Sequence, residues 1–493
     1  MVITRELLID GKEKGAQSGR TTPVINPSIG QMYATVAAAG VEDVSSAVDA
    51  AQAAFEDWAR LDPFTRRAIF VKAADLMEER REHVVDVMAG EVGSTRSWAS
   101  FNVTLAAEML REAAALITAP RGEVLTTQHD GALSLAVREP LGVVAAFSPW
   151  NAPVILGTRA VAAALAAGNT VVLKPSEVAP LSAGLLIGEL LRDAGLPDGV
   201  LNVITNDPAD APHIAEALIA HTAVHAVNFT GSTHVGRIIG EQAARHLKPA
   251  LLELGGKNAV IVLDDADVDY AVDAAAFAAF MNSGQICMSA DRILVHESLA
   301  EEFIAKFTAK VAALPSGDPT DPATVIGPLV NTDPDKRCGL FAARRIAALV
   351  EDAVAKGATV LVSGEIEDAS HPATVLTAVP AHADLHGAET FGPVCAVDTF
   401  ATDDEAVAMA NDTDQGLTAG IITENGTHGL RVARRLRTGM VHINDQSVAD
   451  DPQAPFGGVK SSGYGRFGGR WGIEAFSNTR WITLATQHAS YPF

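Results

Sequence analysis

The sequence predicts an α/β architecture of two successive doubly wound units with a small extra β module, and three observations carry that prediction. From Gly142 onward short β-branched runs alternate with Ala-rich helical stretches, the alternation restarts after Gly256, and two β-like pieces stand outside both units. Such alternation implies parallel strands joined by crossover helices.

Taken in order, helical patterning covers Val44 to Ile117. In the first α/β unit Val143 to Ala146, Thr170 to Leu173, Val200 to Ile204 and Ala226 to Phe229 read as strands. The segments around Val154 to Ala167, Pro180 to Ala194, Ala211 to Ala220 and Val235 to Arg245 read as helices. The second unit has strands at Ala259 to Leu263, Arg292 to His296, near Leu361, Val394 to Phe400 and Gly420 to Thr423, with a helix through Ala276. The outlying pieces, Leu133 to Arg138 and Arg480 to Leu484, are too short to stand as isolated ribbons. They are expected to pair with something else, another subunit being one candidate. No internal repeat or low-complexity tract interrupts the pattern.

A chain of 493 residues exceeds one core and implies two or three domains. With 48% hydrophobic and 20% charged residues it reads as globular rather than disordered. Sixty acidic against 37 basic residues give a net charge of -23, which repels phosphate backbones and anionic headgroups, so neither nucleic acid nor membrane is an expected partner. Met1 to Lys12 lacks the apolar core of a signal peptide, and the most apolar run, Val154 to Leu173, is broken by Arg159, Gly168 and Asn169. A cytoplasmic location is expected. Cys287, Cys338 and Cys395 are too few and odd in number for a disulfide framework.

Cys287 sits in Ser283-Gly284-Gln285-Ile286-Cys287, where helical pattern gives way to small and polar residues ahead of a strand. Alone, such a cysteine is more often a buried small hydrophobe than a nucleophile. Glu253 ends a strand before Gly255-Gly256, which let backbone approach a ligand, and its bland alternative is a surface ion pair. Asn151 follows a strand and opens a helix, so its amide suits either an oxyanion or a helix cap. Lys174 and Glu177 follow another strand, offering a cation and a carboxylate to sugar hydroxyls or simply to each other. Gly231, Ser232 and Gly236 join strand to helix, where free N–H groups and the helix dipole attract phosphate. Glu389 and Phe391 place a carboxylate and a ring beside a rigid turn. The spacings His221/His225 and His382/His386 lack a third ligand, so surface histidines and no metal are expected.

Together PWN, KPSE, GSTxxG, ELGGK, GQIC, ETFGP and PFGGVKSSGYGR occur in an order that resembles the aldehyde dehydrogenase superfamily, from Leu8 to Thr483. The resemblance implies an aldehyde dehydrogenase-like fold: a Rossmann-like cofactor domain at 1–120 and 140–255 with 453–471 returning to it, and a catalytic domain at 256–452. An oligomerisation module at 121–139 and 472–493 would take the two outlying β pieces, in a homodimer or homotetramer. It implies Cys287 as nucleophile, Glu253 as general base, and Asn151 with the Cys287 N–H as oxyanion hole. Trp150, Lys174, Glu177, Gly231, Ser232, Gly236, Glu389 and Phe391 become the cofactor set. One departure is Thr205-Asn206-Asp207-Pro208, where many relatives have a glycine-rich turn. Close backbone approach to the dinucleotide is not expected there.

The reaction implied is oxidation of an aldehyde to its acid through a cysteine thioester, with NAD preferred because Glu177 would repel a 2'-phosphate; NADP remains a possible cofactor. Likeness is nearest to bacterial salicylaldehyde and related aromatic aldehyde dehydrogenases, carried by Asn151 to Gly157 and Gly463 to Gly469. That branch suggests a compact aromatic substrate, such as salicylaldehyde or a hydroxybenzaldehyde, met by Trp98, Ala152, Ile155 and Arg159. Arg159 would meet a polar ring substituent or pair with an acidic neighbour. The alternatives are an aliphatic or semialdehyde substrate, a CoA-acylating enzyme, which Glu253 disfavours, and a non-catalytic binding protein.

Overall fold

Five parallel strands, Val143–Ser148, Thr170–Pro175, Leu201–Val203, Val224–Thr230 and Ala250–Glu253, form the centre of an eight-stranded sheet. The computed structural model describes residues 3–128, 131–333, 338–488 and 490–493; the first two residues of the Met1 to Lys12 start lie outside them. Across the sheet the five strands run fifth, fourth, first, second, third in chain order. Val143–Ser148 and Val224–Thr230 therefore flank the point where winding reverses, and ligands bind off the carboxyl ends there. Antiparallel edge strands, Leu7–Ile9 with Lys12–Lys14 on one side and Gly463–Tyr464 on the other, complete the sheet.

These strands are buried on both faces, which suits their unbroken Val, Ala and Leu runs. The helix that follows the first, Pro153–Ala167, is apolar almost all round and is buried along nearly its whole length. At Gly157 a Cβ would stand 2.4 Å from the Ala183 carbonyl oxygen, so this close crossing requires glycine.

A second, seven-stranded sheet runs in the order Thr359–Val362, Thr374–Thr377, Val394–Phe400, Ala290–His296, Asn258–Val262, Ala419–Ile422, His442–Ile443. All neighbours are parallel except the first pair. Only Leu254 to Lys257 separates the last parallel strand of the first sheet from Asn258–Val262, the neighbour of the central strand of the second.

The long helical stretch is four helices, Val41–Arg60, Pro63–Glu79, Arg81–Val92 and Arg96–Leu116. Asp62 caps the second through its side chain with Pro63 at the first helical position, and Gly93 ends the third in the left-handed region. Thr21–Ile25, Met32–Ala37 and Ile3–Arg5 form a three-stranded sheet that the sequence reading did not anticipate. The helix expected from Pro180 begins as a π turn, Leu181–Leu185. There the buried Glu91 carboxylate accepts bonds from the Leu181 and Ser182 N–H groups at 2.7 and 2.8 Å.

The two outlying β pieces need correcting in one respect. They pair with each other inside this chain, Leu133–Pro140 lying antiparallel to Ser477–Leu484, with Gly122–Leu125 as a third strand. Their separation by more than 300 residues hides this pairing from any local reading.

Asn169 ties these parts together. Its Oδ1 accepts from the Leu141 and Gly142 N–H groups at 2.7 and 3.0 Å, while its Nδ2 donates to the Ala164 and Phe476 carbonyls, each at 2.9 Å. The side chain is fully buried. Truncation to alanine removes four hydrogen bonds; the Ala164 carbonyl keeps the Asn169 N–H at 3.0 Å, but the Leu141 and Gly142 N–H groups lose the acceptor they share, and each unsatisfied buried group costs about 1–3 kcal/mol. Asn169→Ala is expected to lower stability by about 3 kcal/mol or more, read from its denaturant midpoint; an unchanged midpoint would show that these groups find other partners.

Candidate active site

Glu253 stands at the carboxyl end of its strand, and the two glycines after it are sterically required. A Cβ on Gly255 would fall 2.2 Å from a Glu389 carboxylate oxygen, and one on Gly256 would fall 2.6 Å from the Cys287 carbonyl oxygen. The Gly256 N–H donates to Glu389 Oε1 at 3.1 Å. Thus the ELGGK turn brings Glu253, Cys287 and Glu389 to one point.

Cys287 lies just beyond a strained turn. Asn282 and Ser283 both adopt left-handed backbone, at φ 50° and 54°. Such conformations persist in non-glycine residues only when the surroundings hold them. The Ser283 hydroxyl both donates to the Gly327 carbonyl and accepts from the Gly327 N–H, and Gln285 Oε1 accepts from the Val330 N–H at 2.9 Å. Asn258 then fixes the Cys287 carbonyl, donating to it at 2.8 Å.

The Cys287 thiol faces Glu253 without closing a strict hydrogen bond, since neither carboxylate oxygen of Glu253 has such a partner among the described residues. Burial pushes the Cys287 thiol well above its ordinary range, and the neighbouring charges of Glu253 and Glu389 push the same way, opposed by Arg159. Burial likewise lifts the Glu253 carboxyl to about 7, against the pull of Arg159 and the thiol. A carboxyl poised there can accept a proton near neutrality.

Asn151 resolves its two readings by geometry. The helix after it is capped at Ala152, with no side-chain cap bond. The Asn151 amide instead donates to the Gln285 carbonyl at 3.0 Å, within the Cys287 turn, which leaves its second N–H available. Its backbone carbonyl accepts from Trp98 Nε1 and Asn282 Nδ2, each at 3.0 Å. Sequence reasoning missed this clamp, because its partners lie 53 and 131 positions away.

Lys174 and Glu177 form a mostly buried ion pair rather than a surface one, at 8% and 20% side-chain exposure. Burial works to raise the Glu177 carboxyl, but the Lys174 charge together with hydrogen bonds from Lys174, the backbone and Asn206 outweighs it and the net shift is downward. Asn206, in the turn that departs from the glycine-rich pattern, reaches Glu177 at 3.4 Å through its Nδ2 and leaves its buried Oδ1 without a partner. Ser232 caps the helix Thr233–Arg245 by accepting from the Val235 N–H at 3.3 Å. Gly231 and Gly236 admit the Phe229 ring and the Leu254 side chain, which a Cβ would strike. Trp150 and Phe391 meet edge-on at 5.5 Å, with Phe391 held at φ 49°. An unpartnered amide oxygen, a buried cation–carboxylate pair, a helix N-terminus at the crossover and a pair of rings fit a dinucleotide.

The four residues suggested for the substrate do not act alike. Trp98, Ala152 and Ile155 are 2%, 6% and 3% exposed, and the Trp98 ring stacks on Phe101 at 5.5 Å. Arg159 alone of the four lines a cleft of about 450 Å³, with Met109, Asp450, Phe456 and Phe467. Of its two readings the structure shows the pairing with an acidic neighbour: the guanidinium is paired with Asp450, 7% exposed, and lies 4.0 Å over the Phe456 ring. The Asp450 partner was not anticipated, since 291 positions separate the two. The paired histidine spacings do not form shared helical faces, because His221 ends a helix and His225 lies in a strand.

Comparison with known proteins agrees with this geometry. The model of the aldehyde dehydrogenase family matches residues 14–482. A vanillin dehydrogenase of Pseudomonas fluorescens is 50% identical over 486 residues, 99% of each chain. A salicylaldehyde dehydrogenase of Pseudomonas putida is 42% identical over 489 residues, again 99% of each chain. The crystal structure of the salicylaldehyde dehydrogenase from Pseudomonas putida G7, complexed with salicylaldehyde, superposes with a TM-score of 0.95 at 40% identity, covering 100% of both chains. In sequence and in fold this chain belongs to the aldehyde dehydrogenase family, and it is an NAD(P)-using oxidoreductase that acts on aldehydes.

Proposed function

We propose that this enzyme oxidises a compact aromatic aldehyde bearing a polar ring substituent, using Cys287 as nucleophile, Glu253 as base and the Asn151 amide with the Cys287 N–H as oxyanion hole. The observation that carries the chemistry is the convergence of Glu253, Cys287 and the Asn151 amide across the ELGGK turn. The thiol must lose its proton to attack, and Glu253 beside it is the acceptor at hand. Sulfur then bonds to the aldehyde carbon, and the alkoxide formed is stabilised by the free N–H of Asn151. Bound dinucleotide supplies the acceptor for the hydride that leaves this carbon. Glu253 gives up the thiol proton to solvent and then takes a proton from water, the hydroxide adds to the thioester carbon, and the carbon–sulfur bond breaks to release the acid while Glu253 returns its proton to the sulfur.

Lys174 and Glu177 are proposed to hold the adenosine ribose, Ser232 the pyrophosphate, and Glu389 with Phe391 and Trp150 the nicotinamide end. NAD is proposed as the preferred cofactor, since the Glu177 carboxylate, kept ionised by Lys174, repels a 2'-phosphate. The aromatic substrate is supported by the relatives named vanillin and salicylaldehyde dehydrogenases. Val124, Trp481 and Leu484, exposed on the three-stranded sheet, support a homodimer or homotetramer. No helix among the described residues is long and apolar enough to cross a membrane.

Cys287→Ala is expected to abolish aldehyde oxidation while leaving NAD binding intact, and retained turnover would overturn the nucleophile assignment. Glu253→Gln should give a burst of reduced cofactor and then a slow steady state. In the parent enzyme thioester hydrolysis should rise with pH through about 7, since the raised Glu253 carboxyl acts as a base only above that value. Full steady-state turnover by Glu253→Gln would exclude the role. Across an aldehyde panel, kcat/KM should be highest for a hydroxy- or methoxybenzaldehyde and higher with NAD than with NADP; an aliphatic aldehyde that outperforms every benzaldehyde would sink the aromatic assignment.

A further inference from the structure

Behind Glu389 the segment Ala388–Thr390 is held by an unusual density of charge. Lys257 Nζ donates to the Ala388 carbonyl at 2.7 Å and lies 3.5 Å from the Thr390 hydroxyl. The same ammonium pairs with Asp291 at 3.2 Å, both side chains being almost wholly buried at 2% and 6% exposure. Asp291 in turn accepts from the Thr390 N–H at 3.4 Å. From the more exposed side Arg345 donates to the Thr390 carbonyl at 3.0 Å. Glu389, the residue in between, has its carboxylate on the Gly256 N–H, immediately before Lys257.

Burying an ion pair costs several kcal/mol per charge, and an apolar pair of similar volume is often at least as stable. Stability alone therefore gives little reason for Lys257 and Asp291. Their contacts give another: all converge on the backbone flanking one carboxylate. Lys257 also lies four residues beyond Glu253, so one stretch of chain carries the base and anchors the loop.

We propose that Lys257 and Asp291 are positioning residues that clamp Ala388–Thr390 and thereby fix where the Glu389 carboxyl meets the nicotinamide ribose. This rests on the assignment of Glu389 to that ribose. Neither residue touches substrate in this scheme; each acts through Glu389. A clamp that slackens would let the nicotinamide end wander while the adenosine end, held at Lys174 and Glu177, stays in place. Misplacement by about 1 Å can cost roughly 10²-fold in rate.

The test is NAD kinetics in Lys257→Met, Glu389→Gln and the double variant, with ADP as a probe of the adenosine half alone. Lys257→Met is expected to lower kcat/KM for NAD by about 10- to 100-fold without changing ADP affinity, and Lys257→Arg to recover part of the loss. The double variant should fall no further than Glu389→Gln, since residues acting through one group are non-additive. Unchanged NAD efficiency in Lys257→Met, a parallel loss of ADP affinity, or full additivity with Glu389→Gln would overturn the clamp. Glu389→Gln without effect on NAD would instead overturn the ribose assignment on which it rests. If Lys257→Met does not fold, Asp291→Asn decides by the same comparison: a non-additive loss of NAD efficiency is expected, and unaltered efficiency or full additivity overturns the proposal.

Discussion

The site depends on a steric constraint at the joint between two sheets. The strand Ala250–Glu253 ends the parallel run of one, Asn258–Val262 begins the other, and the four residues between must pass between the Glu389 carboxylate and the Cys287 carbonyl. No side chain fits at Gly255 or Gly256, so the backbone itself fills the gap and turns its N–H toward Glu389. The Cys287 turn packs as tightly from the far side, where a Cβ on Gly284 would stand 2.1 Å from the Gly392 carbonyl oxygen. Backbone meets backbone at Gly256 and Gly284, and the Glu389, Lys257 and Asn258 side chains bond ELGGK and its continuation to the ETFGP and GQIC segments.

Such packing sets the electrostatics. Cys287, Glu253 and Glu389 are brought together at one point: Glu253 and Glu389 each raise the proton affinity of the Cys287 thiol and Glu253 raises that of Glu389, whereas the thiol lowers that of Glu253. Burial is the first cause in all three, with Glu389 reaching about 8. Like charges crowded in a poorly hydrated site do not all ionise together. A proton that leaves the thiol therefore settles most readily on one of the two carboxyls. Transfer to Glu253 exchanges one negative charge for another within the same site, so its cost is far below that of creating a new charge there.

Motif order made the fold and the family legible in the sequence, and the residues those motifs carry at Asn151, Glu253 and Cys287 meet in the structure, because β-branched runs, glycine turns and a strand-end glutamate are local signals. The helix Ala211–Ala220 and the strand Val394–Phe400 have the limits that the sequence suggests. What could not be read is long-range. The pairing of Leu133–Pro140 with Ser477–Leu484, the Trp98 and Asn282 bonds to Asn151, and the Arg159–Asp450 pair each join segments far apart in the chain. A polar side chain in an apolar helix announces that it needs a partner, as Arg159 does, but not which one. For Asn151 the sequence left two readings open, and only the position of the cap at Ala152 separates them.

The Arg159–Asp450 pair shows how the cleft and the reacting groups are linked. Arg159 favours ionisation of both Glu253 and Cys287, whereas Asp450 opposes it at Glu253. The field at the site is the difference between the two, and it depends on which charge stands nearer and which is better screened. With side chains only 6% and 7% exposed, the Arg159 and Asp450 charges are weakly screened by solvent, so the balance between them is felt at Glu253.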